Sequence, residues 1–338
     1  MVTARVATIA GALMMSVLLL EIGLRLAGWP APGLYIDGTG PVQLLTPGPA
    51  GGAYPPNVTG RLRHYDYDVE WSVNGDGFRE RPREPKRPGE KRVGILGDSF
   101  AAGVGVERAR RFGDIWYEHA AHAGTTLWNL STPLCGTACE AAILAGVGAK
   151  YELDEVIVAF YSGNDLGDNV EWDQSEAHRE RDQRGFDRAR KIARERSRVA
   201  TFTWVHLLRS FARIAQPGVY SAASLASTWP YTASALDRLK AAAGSRPFRI
   251  WYIPSIPEWD DRVWSEIRAR DSFNDDGRWV VRNAVAAWAE GHGVEFVDTS
   301  TWLHGCDAAA CTFPVDGHWN AEGHRRVGEG LDSLPRRH

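Results

Sequence analysis

The chain has 338 residues, 44% hydrophobic and 24% charged, with a formal net charge of −3. That composition is ordinary for one globular domain of moderate size with extensions, although the length alone would admit two domains. So small a charge gives no reason to expect nucleic acid or an anionic surface as partner. The 14 Trp are read as core and edge packing, since nothing in their positions supports sugar binding.

Residues 1–28 differ in kind. Val6 to Leu20 is apolar apart from Thr8 and Ser16, and a helix can continue through Ala27. The uninterrupted core falls short of the roughly twenty residues a spanning helix wants, and Glu21 and Arg25 can pair on one helical face at its end. These two charges also interrupt the place where a small-residue cleavage site would lie. The segment therefore reads as an uncleaved signal-anchor, a transmembrane helix, rather than a cleaved signal peptide. Arg5, the basic residue before the core, points to a cytoplasmic N-terminus and an exported remainder, periplasmic or at the cell surface.

From Gly28 to about Pro56 the chain is Pro- and Gly-rich without periodicity, which reads as a stalk. Asn57-Val58-Thr59 fits a glycosylation sequon. Residues 61–80 alternate aromatic and polar positions, with Tyr65, Tyr67, Val69, Trp71 and Val73 in phase, and predict one extended strand. Asn74-Gly75-Asp76-Gly77 is a turn signal, and Pro82 to Glu90 a charged linker.

A strand–helix rhythm then begins. Strands are predicted at Arg92–Leu96, Thr125–Leu130, Glu155–Tyr161, Phe248–Ile253 and Val294–Val297. Helices are predicted over Arg110–Ala121, with Phe112, Ile115, Trp116 and His119 on one face, over Ala138–Ala149, and over Ala321–Leu331. Such alternation calls for a parallel sheet covered on both faces. A long insertion, about residues 171–244, breaks it. Residues 175–198 are densely charged and read as a solvated helix, Thr203–Ile214 is apolar with spaced Arg, and Val219–Ala242 is amphipathic. A helical cap over the site, a membrane-leaning face and a partner-binding face all fit. The expected division is thus an anchor at 1–28, a stalk and extension at 29–90, and one α/β domain at 91–335 carrying the insertion.

The four cysteines fall as two local pairs, Cys135/Cys139 and Cys306/Cys311. In an oxidising compartment each pair can close a small disulfide loop. A zinc site is the competing reading, but three and four intervening residues suit a zinc ribbon poorly, and no metal is expected. Free buried thiols remain an alternative for Cys135 and Cys139.

Chemistry collects where the predicted strands end. Gly97-Asp98-Ser99-Phe100 follows the first, Asn129 to Thr137 the second, and Ser162-Gly163-Asn164-Asp165 the third; Asp316-Gly317-His318-Trp319-Asn320 precedes the last helix. Acyl transfer needs a nucleophile, a base, an orienting acid and donors for an oxyanion, and these stretches carry all four. Each residue also has a plainer reading. Ser99 can simply cap a helix, Asn164 and Asp316 can form turns, and His318 can be structural. Asp298, at the end of the fifth strand, is a rival acid. Gly103 and Gly105 are rival oxyanion donors, Asp98 and Asp165 read as loop braces, and His292, His304 and His324 read as solvent-facing.

On these four blocks, in this order and strand context, the chain resembles the SGNH, or GDSL-type, hydrolase family over about residues 91–333. With Asn74-Gly75-Asp76-Gly77-Phe78-Arg79 ahead of the first strand, it also resembles the family's membrane-anchored bacterial members. The resemblance implies an α/β fold, a flavodoxin-like three-layer α/β/α sandwich about a central parallel sheet, and a hydrolase without metal or cofactor. It implies Ser99 as nucleophile, His318 as general base and Asp316 as its orienting acid. The oxyanion donors it implies are the backbone N–H groups of Ser99 and Gly136 and the side-chain amide of Asn164. Many members place two residues between acid and histidine, whereas here only Gly317 intervenes. The serine lacks the Gly-x-Ser-x-Gly elbow, which disfavours the α/β-hydrolase fold. The expected activity is a serine esterase acting on an O-acyl ester of a glycan, lipid or small molecule. The same triad serves an O-acyltransferase, and a non-catalytic scaffold on the same fold is the reading from another class.

Overall fold

The alternation in residues 61–80 builds a hairpin rather than one strand. In the computed structural model, which describes residues 2–27, 33–35, 44–119, 124–177, 219–271 and 274–334, helix α1 (Val2–Leu26) precedes a small antiparallel sheet of β1 (Gly33–Tyr35), β2 (Thr59–Arg63) and β3 (Asp68–Ser72). The chain reverses at residues 64–67, where His64 N–H donates to the Tyr67 carbonyl (2.8 Å). Tyr65 and Tyr67 therefore belong to a loop, while Val69 and Trp71 point inward from β3. Their burial with Tyr54, Val73 and Val104 makes a satellite core. Because Ala53 and Tyr54 are buried, the described end of the Pro- and Gly-rich stretch lies on the domain instead of trailing as a stalk.

Residues 74–77 make the expected turn through an Asx arrangement, in which the Asn74 Oδ1 accepts from the N–H groups of Asp76 and Phe78. Arg79, just beyond it, is buried and donates to the carbonyls of Ala102 and Gly103 and to that of Glu70.

Five parallel strands follow: β4 (Lys91–Gly97), β5 (Thr125–Asn129), β6 (Glu155–Tyr161), β7 (Phe248–Ile253) and β8 (Glu295–Asp298). They lie in the order β5-β4-β6-β7-β8, the doubly wound order whose switch point falls between β4 and β6. Side chains alternate across the sheet with period two. Leu96, Trp128, Val158, Phe160 and Tyr252 pack into one core, and Val93, Ile95, Leu127, Ile157 and Trp251 into the other. Burying each of these large apolar side chains contributes roughly 1.5–3 kcal/mol. Both faces are covered, so the strands read in sequence as near-continuous apolar runs.

The first face is covered by α4 (Thr137–Ala145), the helix Ala222–Ala243 and the helix Val280–Gly291; the second by α3 (Phe112–His119) and the closing helix Ala321–Asp332. The helix Ala222–Ala243 thus forms part of the covering layer, with Ala235, Leu236 and Leu239 fully buried, and is not a cap over the site. The rest of the expected insertion, from residue 178 to 218, lies outside the described residues.

One histidine departs from expectation. His324 is 0% exposed: its Nδ1 accepts from the Phe112 N–H (3.3 Å) and its ring stacks on Phe112. Burial holds its pKa down at about 3, so it stays neutral. His324, Val327, Gly328 and Leu331 lie on the buried face of the closing helix, but two polar or small residues in that stripe hide it in the sequence. His292 and His304 are exposed, as expected.

Candidate active site

Ser99 opens α2 (Ser99–Ala102) directly off the end of β4. Asp98 caps that turn, its Oδ1 accepting from the Phe100 N–H (2.8 Å). The preceding Gly97 leaves room for this: a Cβ there would stand 2.6 Å from Ala101 Cβ and 3.1 Å from Ala159 Cβ. Only a residue without a side chain lets the serine's helix seat so tightly on β6.

His318 arrives from the other end of the chain. Residues 312–319 form a hairpin closed by the Thr312–Trp319 bridge and by Phe313 N–H donating to the His318 carbonyl (2.8 Å). A disulfide joins Cys306 to Cys311 immediately before it. Gly317, with φ +91°, turns the chain in the left-handed region, so one intervening residue suffices to set the Asp316 carboxylate beside the His318 ring. Ser99 Oγ lies 2.7 Å from His318 Nε2, and His318 Nδ1 is hydrogen-bonded to Asp316 Oδ1. The carboxylate on Nδ1 selects the tautomer that leaves Nε2 as acceptor for the serine hydroxyl. Asp298 is engaged elsewhere, paired with Arg282 and accepting from Ser300 N–H (2.9 Å).

Electrostatics follow from burial and partners. Burial pushes the His318 imidazole toward neutrality, but the Asp316 charge and hydrogen bond, with Asp98 behind them, outweigh it and raise the pKa above the ordinary histidine value. Asp316 is partly buried too, yet His318 above all, then His64, holds its carboxyl below the usual range. Asp98, buried beside the serine, is pushed up to about 6 by desolvation, a rise tempered by the Phe100 N–H, by His318, and by hydrogen bonds from Ser99 and Asn164. The Ser99 hydroxyl lies 3.4 Å from its Oδ2.

Gly136 and Asn164 occupy the same rim, after β5 and β6. The loop carrying Gly136 is pinned by Thr132 N–H on the Gly97 carbonyl (2.9 Å), and a Cys135–Cys139 disulfide straddles Gly136 itself. A Cβ on Gly136 would meet the Asp168 Cβ at 2.8 Å, so α4 starts hard against α5 (Asp165–Ala177). The turn carrying Asn164 is tied down through Ser162, whose hydroxyl donates to buried Glu258 and accepts from Ser255 N–H (2.8 Å); Tyr252 and Ser255 also donate to Glu258. Asp165, expected as a brace, accepts from Tyr161 N–H (3.0 Å). The rival donors are used otherwise: Gly103 caps α2, and Gly105 lies under the rings of Phe313 and Tyr67.

The residues that surround Asp316 come from far along the chain. Asp66 accepts from two backbone N–H groups of its hairpin, and Tyr67 donates to its outer oxygen. They stand some 250 positions away, and no local pattern marks them.

An arrangement of hydroxyl, neutral imidazole and carboxylate in line can activate the hydroxyl as a nucleophile. The family profile of the GDSL-like Lipase/Acylhydrolase family matches residues 95–326. No curated protein matches the chain by sequence. Among solved structures, the extracellular lipase of Streptomyces rimosus is similar at 16% identity and a TM-score of 0.41, over 71% of this chain and 97% of that one. A carbohydrate acetylesterase family member from Sinorhizobium meliloti is similar at 14% identity and a TM-score of 0.39, over 72% and 95%. The profile spans most of the chain, including the serine turn, the Asn164 turn and the His318 hairpin: the protein belongs to the GDSL-like lipase/acylhydrolase family and is a hydrolase of ester bonds.

Proposed function

We propose that the protein is a serine esterase that removes an O-acyl group, of the acetyl class or longer, from a glycan, lipid or small molecule through an acyl-enzyme on Ser99. The observation that carries this reading is the contact of Ser99 Oγ with His318 Nε2 at 2.7 Å, with Asp316 on the far ring nitrogen. Ser99 Oγ attacks the ester carbonyl while His318 Nε2 takes its proton, and Asp316 stabilises the imidazolium that forms. Negative charge grows on the carbonyl oxygen. The N–H groups of Ser99 and Gly136 and the Asn164 amide receive it. The tetrahedral intermediate collapses as His318 returns its proton to the leaving alkoxide. Water then repeats the cycle against the acyl-serine and releases the carboxylic acid.

The placement we infer is a domain anchored outside the cytoplasm by α1. Its Thr8–Leu26 stretch is long and apolar enough to cross a membrane, and 25 helical residues span roughly 37 Å. Two disulfides suit an oxidising compartment. Replacement Ser99→Ala tests the chemistry: hydrolysis of p-nitrophenyl acetate and fluorophosphonate labelling should both vanish while the thermal melt is kept. Undiminished turnover in that variant would sink the reading. Adding sugar acceptors to the same assay shows whether the acyl group goes to water, as proposed, or to a hydroxyl.

A further inference from the structure

We propose that the loop joining β2 to β3, residues 64–67, belongs to the catalytic apparatus, with Asp66 and Tyr67 acting as positioning residues for Asp316. The inference rests on the reading of Ser99, His318 and Asp316 given above. It concerns a segment that precedes the region matched by the family profile.

Gly317 explains why Asp316 needs outside support. A glycine at φ +91° between acid and base gives the short spacing, and it also leaves the carboxylate on a pivot with wide backbone freedom. His318 engages only one of the two oxygens. The loop supplies the remaining restraints. Asp66 Oδ2 accepts from Val315 N–H and from Asp316 N–H, both at 2.7 Å, so one carboxylate oxygen clamps the backbone of the acid itself. Its side chain is 5% exposed, and hydrogen bonds to a charged group in such surroundings are among the stronger ones. Tyr67 donates its hydroxyl to Asp316 Oδ2 (3.2 Å). Burial and the neighbouring Asp316 charge push that phenol far above its ordinary pKa, so it is a donor at every working pH.

The ring of Tyr67 is itself wedged. It packs on Phe313 at 5.0 Å between centroids and stacks on His64 at the same separation, 24° from parallel. His64 Nε2 stands 4.0 Å from Asp316 Oδ2, too far for a hydrogen bond but close enough to favour the ionised acid. The titratable groups facing Asp316 are therefore His64, Asp66 and Tyr67 from the loop and His318 from its own hairpin, with Asp98 facing His318 from the serine turn. Asp316 keeps its charge in a buried place because each of its oxygens has an assigned donor.

Removing the Tyr67 hydroxyl alone separates positioning from mere packing, since Tyr67→Phe keeps the ring between His64 and Phe313. With the donor gone, the Asp316 charge falls more fully on His318 and the acid is less well held. We expect kcat on p-nitrophenyl acetate to fall about tenfold with little change in KM. We also expect the acid limb of the kcat/KM profile to move to higher pH. In a second pair, Asp66→Ala should lose about a hundredfold in kcat. Asp66→Asn, which keeps an oxygen for the two N–H groups, should recover most of that loss. A Tyr67→Phe enzyme with the wild-type rate and acid limb, together with Asp66→Asn no better than Asp66→Ala, overturns the inference. If Asp66→Ala does not fold, the Tyr67→Phe and Asp66→Asn enzymes against wild type decide. Fluorophosphonate labelling of wild-type Ser99, run alongside, keeps this outcome distinct from failure of the esterase reading.

Discussion

Two groups of buried carboxyls flank the candidate site, and burial has opposite consequences in them. On the His318 side, Asp316 is held below the usual carboxylate range because an imidazole faces it, and a tyrosine hydroxyl donates to it. Behind Gly136, Glu140 and Asp165 are fully buried, yet among the described residues neither Glu140 oxygen has a hydrogen-bond partner, nor does Asp165 Oδ1. Burial and mutual repulsion push both of these carboxyls well above the normal value, and push Asp168 beside them up to about 7. The lesson is that depth does not decide charge. The balance of partners does: the facing imidazole holds the Asp316 carboxyl down, whereas nothing opposes the burial of Glu140 and the single Tyr161 N–H on Asp165 does not offset its own.

The largest expected effect comes from stripping the first group of its charge. Asp316→Asn should lower kcat by about 10⁴-fold while leaving Ser99 and His318 in place. It should also move the acid limb of kcat/KM to lower pH. The sign follows from His318: Asp316 is what raises the imidazole above its ordinary value, so the wild-type base is lost as pH falls through a pKa above about 6.5, and the variant's through a lower one. A pH–rate series on both enzymes checks this, and coincident limbs would remove Asp316 from its role.

Next in size is Asn164, whose side chain hydrogen-bonds to Asp98 beside the serine. Asn164→Ala should cost about 10²–10³-fold in kcat with KM nearly kept, the signature of a donor that acts on developing charge. A comparable rise in KM with kcat kept would instead make it a substrate-binding residue.

The smallest effect tests the second group through stability. A carboxyl whose folded pKa is raised contributes fully below its unfolded pKa, about 4.3 for glutamate, and loses that contribution as pH climbs through the folded value. Glu140→Gln removes the titration. Its melting temperature should therefore match wild type near pH 4 and exceed it by about 2–4 °C near pH 8, for roughly 1 kcal/mol in a domain of this size. A gap independent of pH would mean that the Glu140 proton is not what the burial acts on, and the contrast between the two groups would fail.

Much of the fold was legible because sheet burial writes itself into the sequence. Glu155–Tyr161 and Phe248–Ile253 run as apolar blocks since both faces are covered, and the structure returns these boundaries unchanged. The Gly97-Asp98-Ser99 turn was legible for the same reason, as an abrupt end to such a block. The hairpin at 59–72 was not, because the aromatic alternation continues through the loop at Tyr65 and Tyr67. Nor was the burial of His324, whose partner is a backbone N–H more than two hundred positions away. The family resemblance names Asp316 ahead of Asp298, and the structure pairs Asp316 with His318 and Asp298 with Arg282.

By itself the amino-acid order determined the local things: where strands and helices run, which residues end them, and that two cysteine pairs are close enough to bridge. Those follow from periodicity and short-range sterics, which act within a dozen residues. Tertiary structure alone decided that the serine turn meets the His318 hairpin, which buried carboxyls are held down and which pushed up, and that a loop from before the sheet packs on the acid. These depend on distances across the fold between residues some 200–250 positions apart, and on the dielectric that packing creates around them.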